Sequence, residues 1–156
     1  MKFSDIRESD WPQLAPWMDT CLLPVTGLAG TEAPHEAARR LEKLRDLLDL
    51  VEKPYRGRVV TYPAFQYLTS ADLAAELDRL CRNLKAAGFR HVIVALADGN
   101  LLAGRSVPSC DFVLTDDCDE ASIRRRLTAL WHPASAGDGG PGAPPDRLDR
   151  QKANDL

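Results

Sequence analysis

A helix that stops on a glycine and runs at once into an apolar strand constrains this chain more than any other feature. Residues 82–100 read RNLKAAGFRHVIVALADGN. The helical pattern ends at Gly88, which can take the left-handed conformation that closes a helix. A strand over 91–97 follows, and an Asp-Gly-Asn turn completes the unit. Helix, short loop, apolar strand is the grammar of a parallel sheet. Its strands are covered on both faces and therefore read as unbroken apolar runs.

The remaining segments repeat this grammar. A first helix is expected over 9–18, capped by Ser9 or Asp10, with Pro12 in its first turn and Pro16 blurring its end. Its apolar residues are Leu14, Trp17 and Met18, and Trp11 and Trp17 are expected to cover the end of the core. TCLLPV at 20–25 is a buried strand, with Pro24 near its end because proline donates no ladder hydrogen bond. The loop at 26–33, TGLAGTEA, is long for a strand-to-helix connection, which marks it as a functional loop. Pro34 opens a second helix. Ala37, Leu41, Leu44, Leu48 and Val51 recur at helical spacing, broadened by Leu47 and Leu50. Arg39, Arg40, Glu42, Lys43, Arg45, Asp46 and Asp49 read as a solvated face of ion pairs, not a docking patch.

KPYRG at 53–57 is a turn, and 58–62 is a second strand ended by Pro63 and an aromatic loop. Ser70 or Thr69 is expected to cap the next helix, which buries Leu73, Leu77, Leu80, Cys81, Leu84 and Ala87. Residues 101–109 are irregular, with Leu101 and Leu102 able to begin a short helix. A fourth strand over 111–115 leads to Asp116, Asp117 and Asp119, acids that suit a helix N-terminus. The helix that follows turns Ile123, Leu127 and Leu130 inward. From 132 to 156, proline, glycine and alternating charge predict a disordered, flexible tail.

These elements predict a three-layer α/β/α domain over 1–131, built on a mostly parallel, Rossmann-like four-stranded sheet. At 156 residues the chain is long enough to bury such a core. Acidic residues outnumber basic ones, 23 to 20, and no basic run occurs, so no nucleic-acid partner is expected. No apolar stretch nears the roughly 20 residues of a membrane span. The acid-bearing start, MKFSDIRESDW, lacks a signal peptide's apolar region. The expectation is a cytoplasmic protein. The four cysteines form no C-x-x-C pair. Cys110 and Cys118 flank a strand and so stand too far apart to bridge. Free thiols are expected, and neither zinc nor any other metal.

In open α/β sheets, ligands collect at the carboxyl ends of the strands. That rim gathers Thr26, Gly27, Glu32, His35, Gln66, Asp98, Asn100 and Asp116 as ligand-binding candidates. Glu32, His35 and Asp98 together carry the residue types for acid–base or metal-assisted hydrolysis. Each also has a structural role: Glu32 and His35 can start a helix, Asp98 can form a turn and Asp116 can cap. No cofactor is expected, because neither G-x-G-x-x-G nor G-x-x-x-x-G-K-[ST] occurs and GLAG at 27–30 is only a faint echo. G-x-S-x-G is absent, and Cys21 has no evident base.

DTCLLPVTGL, GRVVTYPAFQY and LCRNLKAAGFRHVIV together resemble the YpiF-like family of uncharacterised Bacillales proteins, over about residues 1–131. That resemblance implies a small cytoplasmic protein and no particular chemistry. LLPVTGLAGTEAPH followed by GFRHVIVALADGN is similar in layout to creatininase-type amidohydrolases, which hold metal ions in an α/β fold. Those enzymes carry a Glu-x-His-Gly-Pro-His run and a Gly-His-Gly-Gly-Asn turn. Pro24, Val25, Pro34, His35, Gly99 and Asn100 are kept. Ala29, Gly30 and Thr31 stand opposite the Glu-x-His ligands, with Glu32 displaced, and Ala97 and Asp98 stand opposite the Gly-His pair. The resemblance implies a catalytically silent relative. The resulting expectation is a non-catalytic protein that binds a protein or small ligand at the strand-end rim. The alternative is an amidohydrolase-like enzyme with a minimal metal or acid–base site on Glu32, His35 and Asp98.

Overall fold

The computed structural model describes residues 1–67 and 72–133. Its centre is a parallel four-stranded sheet of β1 (Thr20–Val25), β2 (Val59–Thr61), β3 (His91–Leu96) and β4 (Phe112–Thr115), in the order β2-β1-β3-β4. Between and around the strands run α1 (Trp11–Leu14), α2 (Pro34–Glu52), α3 (Leu73–Ala86) and α4 (Glu120–Trp131). β1 and β3 pair along their whole length, from Thr20 with His91 to Val25 with Leu96. Their near-total burial explains the unbroken apolar runs, since both strands are central and both faces are covered.

Alternation along the strands feeds two cores. Cys21, Leu23, Val25, Val92, Val94 and Leu96 pack with Leu73, Leu77 and Cys81 of α3. Leu22, Ile93, Ala95 and Leu114 pack with Leu44, Leu47 and Val51 of α2 and with Ile123 and Leu127 of α4. The result is three layers, helix on sheet on helix. Each fully buried aliphatic side chain contributes about 1.5–3 kcal/mol, so these two seams dominate stability.

Local chemistry fixes the ends of the elements. After α3, Gly88 has φ +118°. The Phe89 N–H donates to the Leu84 carbonyl (3.2 Å) and the Gly88 N–H to the Lys85 carbonyl (3.1 Å), the paired bonds of a Schellman cap. Asp72 caps the start of α3 by accepting the Ala75 N–H at 3.1 Å. Thr69 and Ser70, expected in that role, lie outside the described residues. Asp119 caps α4 by accepting the Ser122 N–H. Pro24 sits inside a strand that has neighbours on both sides. Its carbonyl accepts the Phe65 N–H at 2.8 Å, while β2 pairs with β1 only as far as Leu22. The missing proline N–H thus faces the side where the β2 ladder has already ended.

Two expectations change. The first helix spans only Trp11–Leu14, and Trp17, expected over the core, is 75% exposed on the turn that follows. Pro16 explains both, because its ring blocks continuation of the helix. The buried residues of α2 are Leu44, Leu47 and Val51, whereas Leu41 is 44% exposed. Leu48 and Leu50 are partly buried against the same core, so the buried stripe centres on Leu44, Leu47 and Val51 and leaves Leu41 at its margin. The sequence carries no expectation for the outer edge of β2, and it is paired: Lys2 bridges Thr61, the Thr61 N–H donates to the Met1 carbonyl (2.8 Å), and the Met1 amino group donates to the Val59 carbonyl (2.9 Å). The tail, from 134 onward, lies outside the described residues; among the described residues, no helix is long and apolar enough to cross a membrane.

Candidate functional site

The strand order fixes where a site belongs. From β1 the chain crosses through α2 to β2 on one side; from β2 it returns through α3, over the opposite face, to β3 on the other. Connections therefore diverge at the carboxyl ends of β1 and β3, the topological switch point at which such sheets bind ligands. A small crevice of about 210 Å³ lies there, lined by Thr26, Arg40, Lys43, Ala97, Asp98 and Leu101.

The loop after β1 is held by its own side chains. Thr26 is buried, and its hydroxyl donates to the Gln66 carbonyl at 3.1 Å. Gly27 has φ +68°, and its carbonyl accepts from Arg40 Nη1 at 3.0 Å. The Glu32 carboxylate accepts the N–H groups of Ala29 and Gly30, both at 2.9 Å, and pairs with Arg40 at 3.3 Å. The Ala29 amide leads the interactions that hold this carboxyl below the usual glutamate range, with Gly30 and Arg40 adding to it. Glu32 is therefore an anionic staple that closes the loop.

The other expected rim residues divide between turns and ion pairs. Asp98 accepts the Asn100 N–H at 3.0 Å and so starts the 3-10 turn Gly99–Leu102. Asp116 pairs with Lys43 of α2, both ends being open to solvent. Gln66 is exposed and enters through its backbone carbonyl alone. His35, in the first turn of α2, is also exposed. No hydrogen bond or ion pair among the described residues joins Glu32, His35 and Asp98 to one another. Nor do any three histidine, cysteine or acidic groups among those residues gather closely enough to hold a metal ion. Cys21 is fully buried and burial pushes its thiol up to about 12, so it stays protonated and unreactive near neutral pH.

Arg40 and Lys43 are the rim residues that the sequence pattern hides. As expected of a solvated face, both are exposed and ion-paired, with Glu32 and Asp116, and both also line the crevice. One signal was present: Ala37, position 40, Leu44, Leu47 and Val51 also make a helical stripe, and only a charge at position 40 hides it. A larger cavity, about 720 Å³, lies away from the rim, beside Val60 and Tyr62.

No curated protein and no solved structure matches the chain. Residues 9–105 match the family described as "Protein of unknown function (DUF2487)". That span covers β1 to β3 and both sides of the crevice. It takes in well over half of the sequence, and the chain belongs to this family of unknown function.

Proposed function

We propose that this protein is a non-catalytic binding module that takes an acidic group, on a small ligand or a partner protein, at the crevice between β1 and β3. The observation that carries this reading is the convergence of two cationic side chains, Arg40 and Lys43, on the switch point of a doubly wound sheet. At about 210 Å³ the crevice is smaller than the roughly 300–1,000 Å³ of a drug-sized pocket. It suits a single carboxylate or phosphate. Arg40 is half-exposed and already tied to the loop, so its role is to set the local potential. Lys43 is the exchangeable contact. Its pair with Asp116 is solvent-exposed on both sides, and such pairs contribute only about 0–1 kcal/mol, so an incoming anion can replace Asp116.

A cytoplasmic site of action accords with the free thiols and the composition. The likenesses to YpiF-like proteins and, more faintly, to creatininase-type amidohydrolases support a scaffold that has kept its strand-end turns without a metal-ligand set. The hydrolase reading on Glu32, His35 and Asp98 gains no support from contacts among them. Titration calorimetry with inorganic phosphate and with a small dicarboxylate tests the binding reading. Saturable binding that Lys43→Gln weakens supports it. Absence of binding to both, or binding indifferent to Lys43→Gln, contradicts it.

A further inference from the structure

The 720 Å³ cavity has a structural origin. Two full helices, α2 and α4, cover one face of the sheet. On the other face, among the described residues, α3 is the one long helix, and it is joined by the four-residue α1, by Met1 and Ile6 of the amino-terminal stretch and by Leu101 and Leu102 of the 3-10 turn Gly99–Leu102. The slot over Val60 is left partly filled. Aromatic rings line it in a continuous chain: Phe3 to Tyr62 at 6.5 Å, Tyr62 to Phe89 at 5.2 Å, and Phe89 to Trp11 at 6.1 Å between centroids. Phe3 is 48% exposed, so the chain of rings opens to solvent. A wall of ring faces and edges prefers a flat aromatic guest.

Two charged side chains, Arg7 and Glu8, stand in the same lining. Neither forms an ion pair with any described residue. A guest with one charge satisfies one of them and is repelled by the other, whereas a guest with both charges satisfies the two together. We propose that this slot binds a small zwitterionic aromatic molecule of the aromatic α-amino acid class, its ring among Phe3, Trp11, Tyr62 and Phe89. Its carboxylate faces Arg7 and its ammonium faces Glu8. The site is separate from the rim and does not depend on the reading given for it.

The test uses the full, nitrogen-labelled chain and three probes: L-phenylalanine, 3-phenylpropionate and phenethylamine. L-Phenylalanine is expected to shift the Trp11 indole N–H and the amides of Arg7 and Glu8, and each singly charged analogue to bind about tenfold more weakly. That is the scale of one lost charge-assisted hydrogen bond. Arg7→Gln and Glu8→Gln alter exposed residues. Each should weaken L-phenylalanine by a similar factor while leaving the thermal midpoint unchanged. The proposal is overturned if L-phenylalanine produces no shift up to its solubility limit, if the analogues bind equally well, or if neither variant alters binding. Sedimentation showing the slot covered by a second copy of the chain would also overturn it.

Discussion

Gly27 supports the rim through its backbone. Its φ of +68° is one that residues with a Cβ rarely adopt, and a Cβ there would stand 2.5 Å from Leu101 Cδ1. The Leu101 methyl can rotate away, but the dihedral strain stays. Gly27→Ala is expected to destabilise by about 1–2 kcal/mol, read as a lower urea midpoint with an unchanged slope. Thr61 offers the opposite case. It is buried, and its hydroxyl has no hydrogen-bond partner among the described residues. Thr61→Val keeps the shape and removes the orphan group, so the same measurement should show equal or higher stability, by up to about 1 kcal/mol. At this scale the sequence was half legible. The apolar strand residues follow from composition alone, and Asp98 as a turn residue follows from Asp-Gly chemistry. The partners of Glu32 and Arg40 do not, because they depend on the path of a loop that only the folded chain defines.

At the scale of elements, a polar clamp joins the amino ends of three strands to α4. Asp19 accepts both Nε and Nη2 of Arg58, each at 2.9 Å, and the Thr20 hydroxyl, also at 2.9 Å. The Asp19 carbonyl accepts the backbone N–H groups of Arg90 and His91, and Trp131 Nε1 donates to Thr20 Oγ1 at 3.0 Å. Arg58 stacks on the Trp131 ring, 4.6 Å from its centroid. Arg58→Ala leaves the Asp19 carboxylate, whose side chain is 14% exposed, without its partner and is expected to cost about 1–3 kcal/mol in chemical denaturation. The clamp also sets the acid limb of stability. Burial, the largest influence, lowers the pKa of His91, so the unfolded chain takes up that proton first. The contribution is complete above about 6.5 and declines as pH falls below it. Burial alone would raise the Asp19 pKa, but the hydrogen bonds from Arg58 and Thr20 outweigh it and the net shift is downward. Its contribution is present above about 3.9 and is lost as pH falls through the lower, folded value. Thermal midpoints against pH should therefore fall in two stages, and His91→Gln should flatten the first. The strands were legible because central parallel strands must be apolar. The centre of the buried stripe on α2 was not, because its leucines offer two overlapping stripes and only packing against the sheet selects between them.

At the scale of the whole molecule, the order β2-β1-β3-β4 turns a list of rim residues into a place. Helix and strand alternation announced a parallel sheet, but the order of strands depends on which side each crossover takes. Residues 134–156 carry little apolar surface to bury. Deleting them is expected to leave the thermal midpoint unchanged; a fall of several degrees would show that they pack on the domain. The central claim, that the β1–β3 crevice receives an acidic group, is tested most directly by an amide chemical-shift map of the labelled protein titrated with inorganic phosphate and a dicarboxylate. Saturable shifts should concentrate at Thr26, Gly27, Asp98 and Leu101 and should shrink in Lys43→Gln. Saturable shifts confined to another surface, or none at all, would contradict the claim.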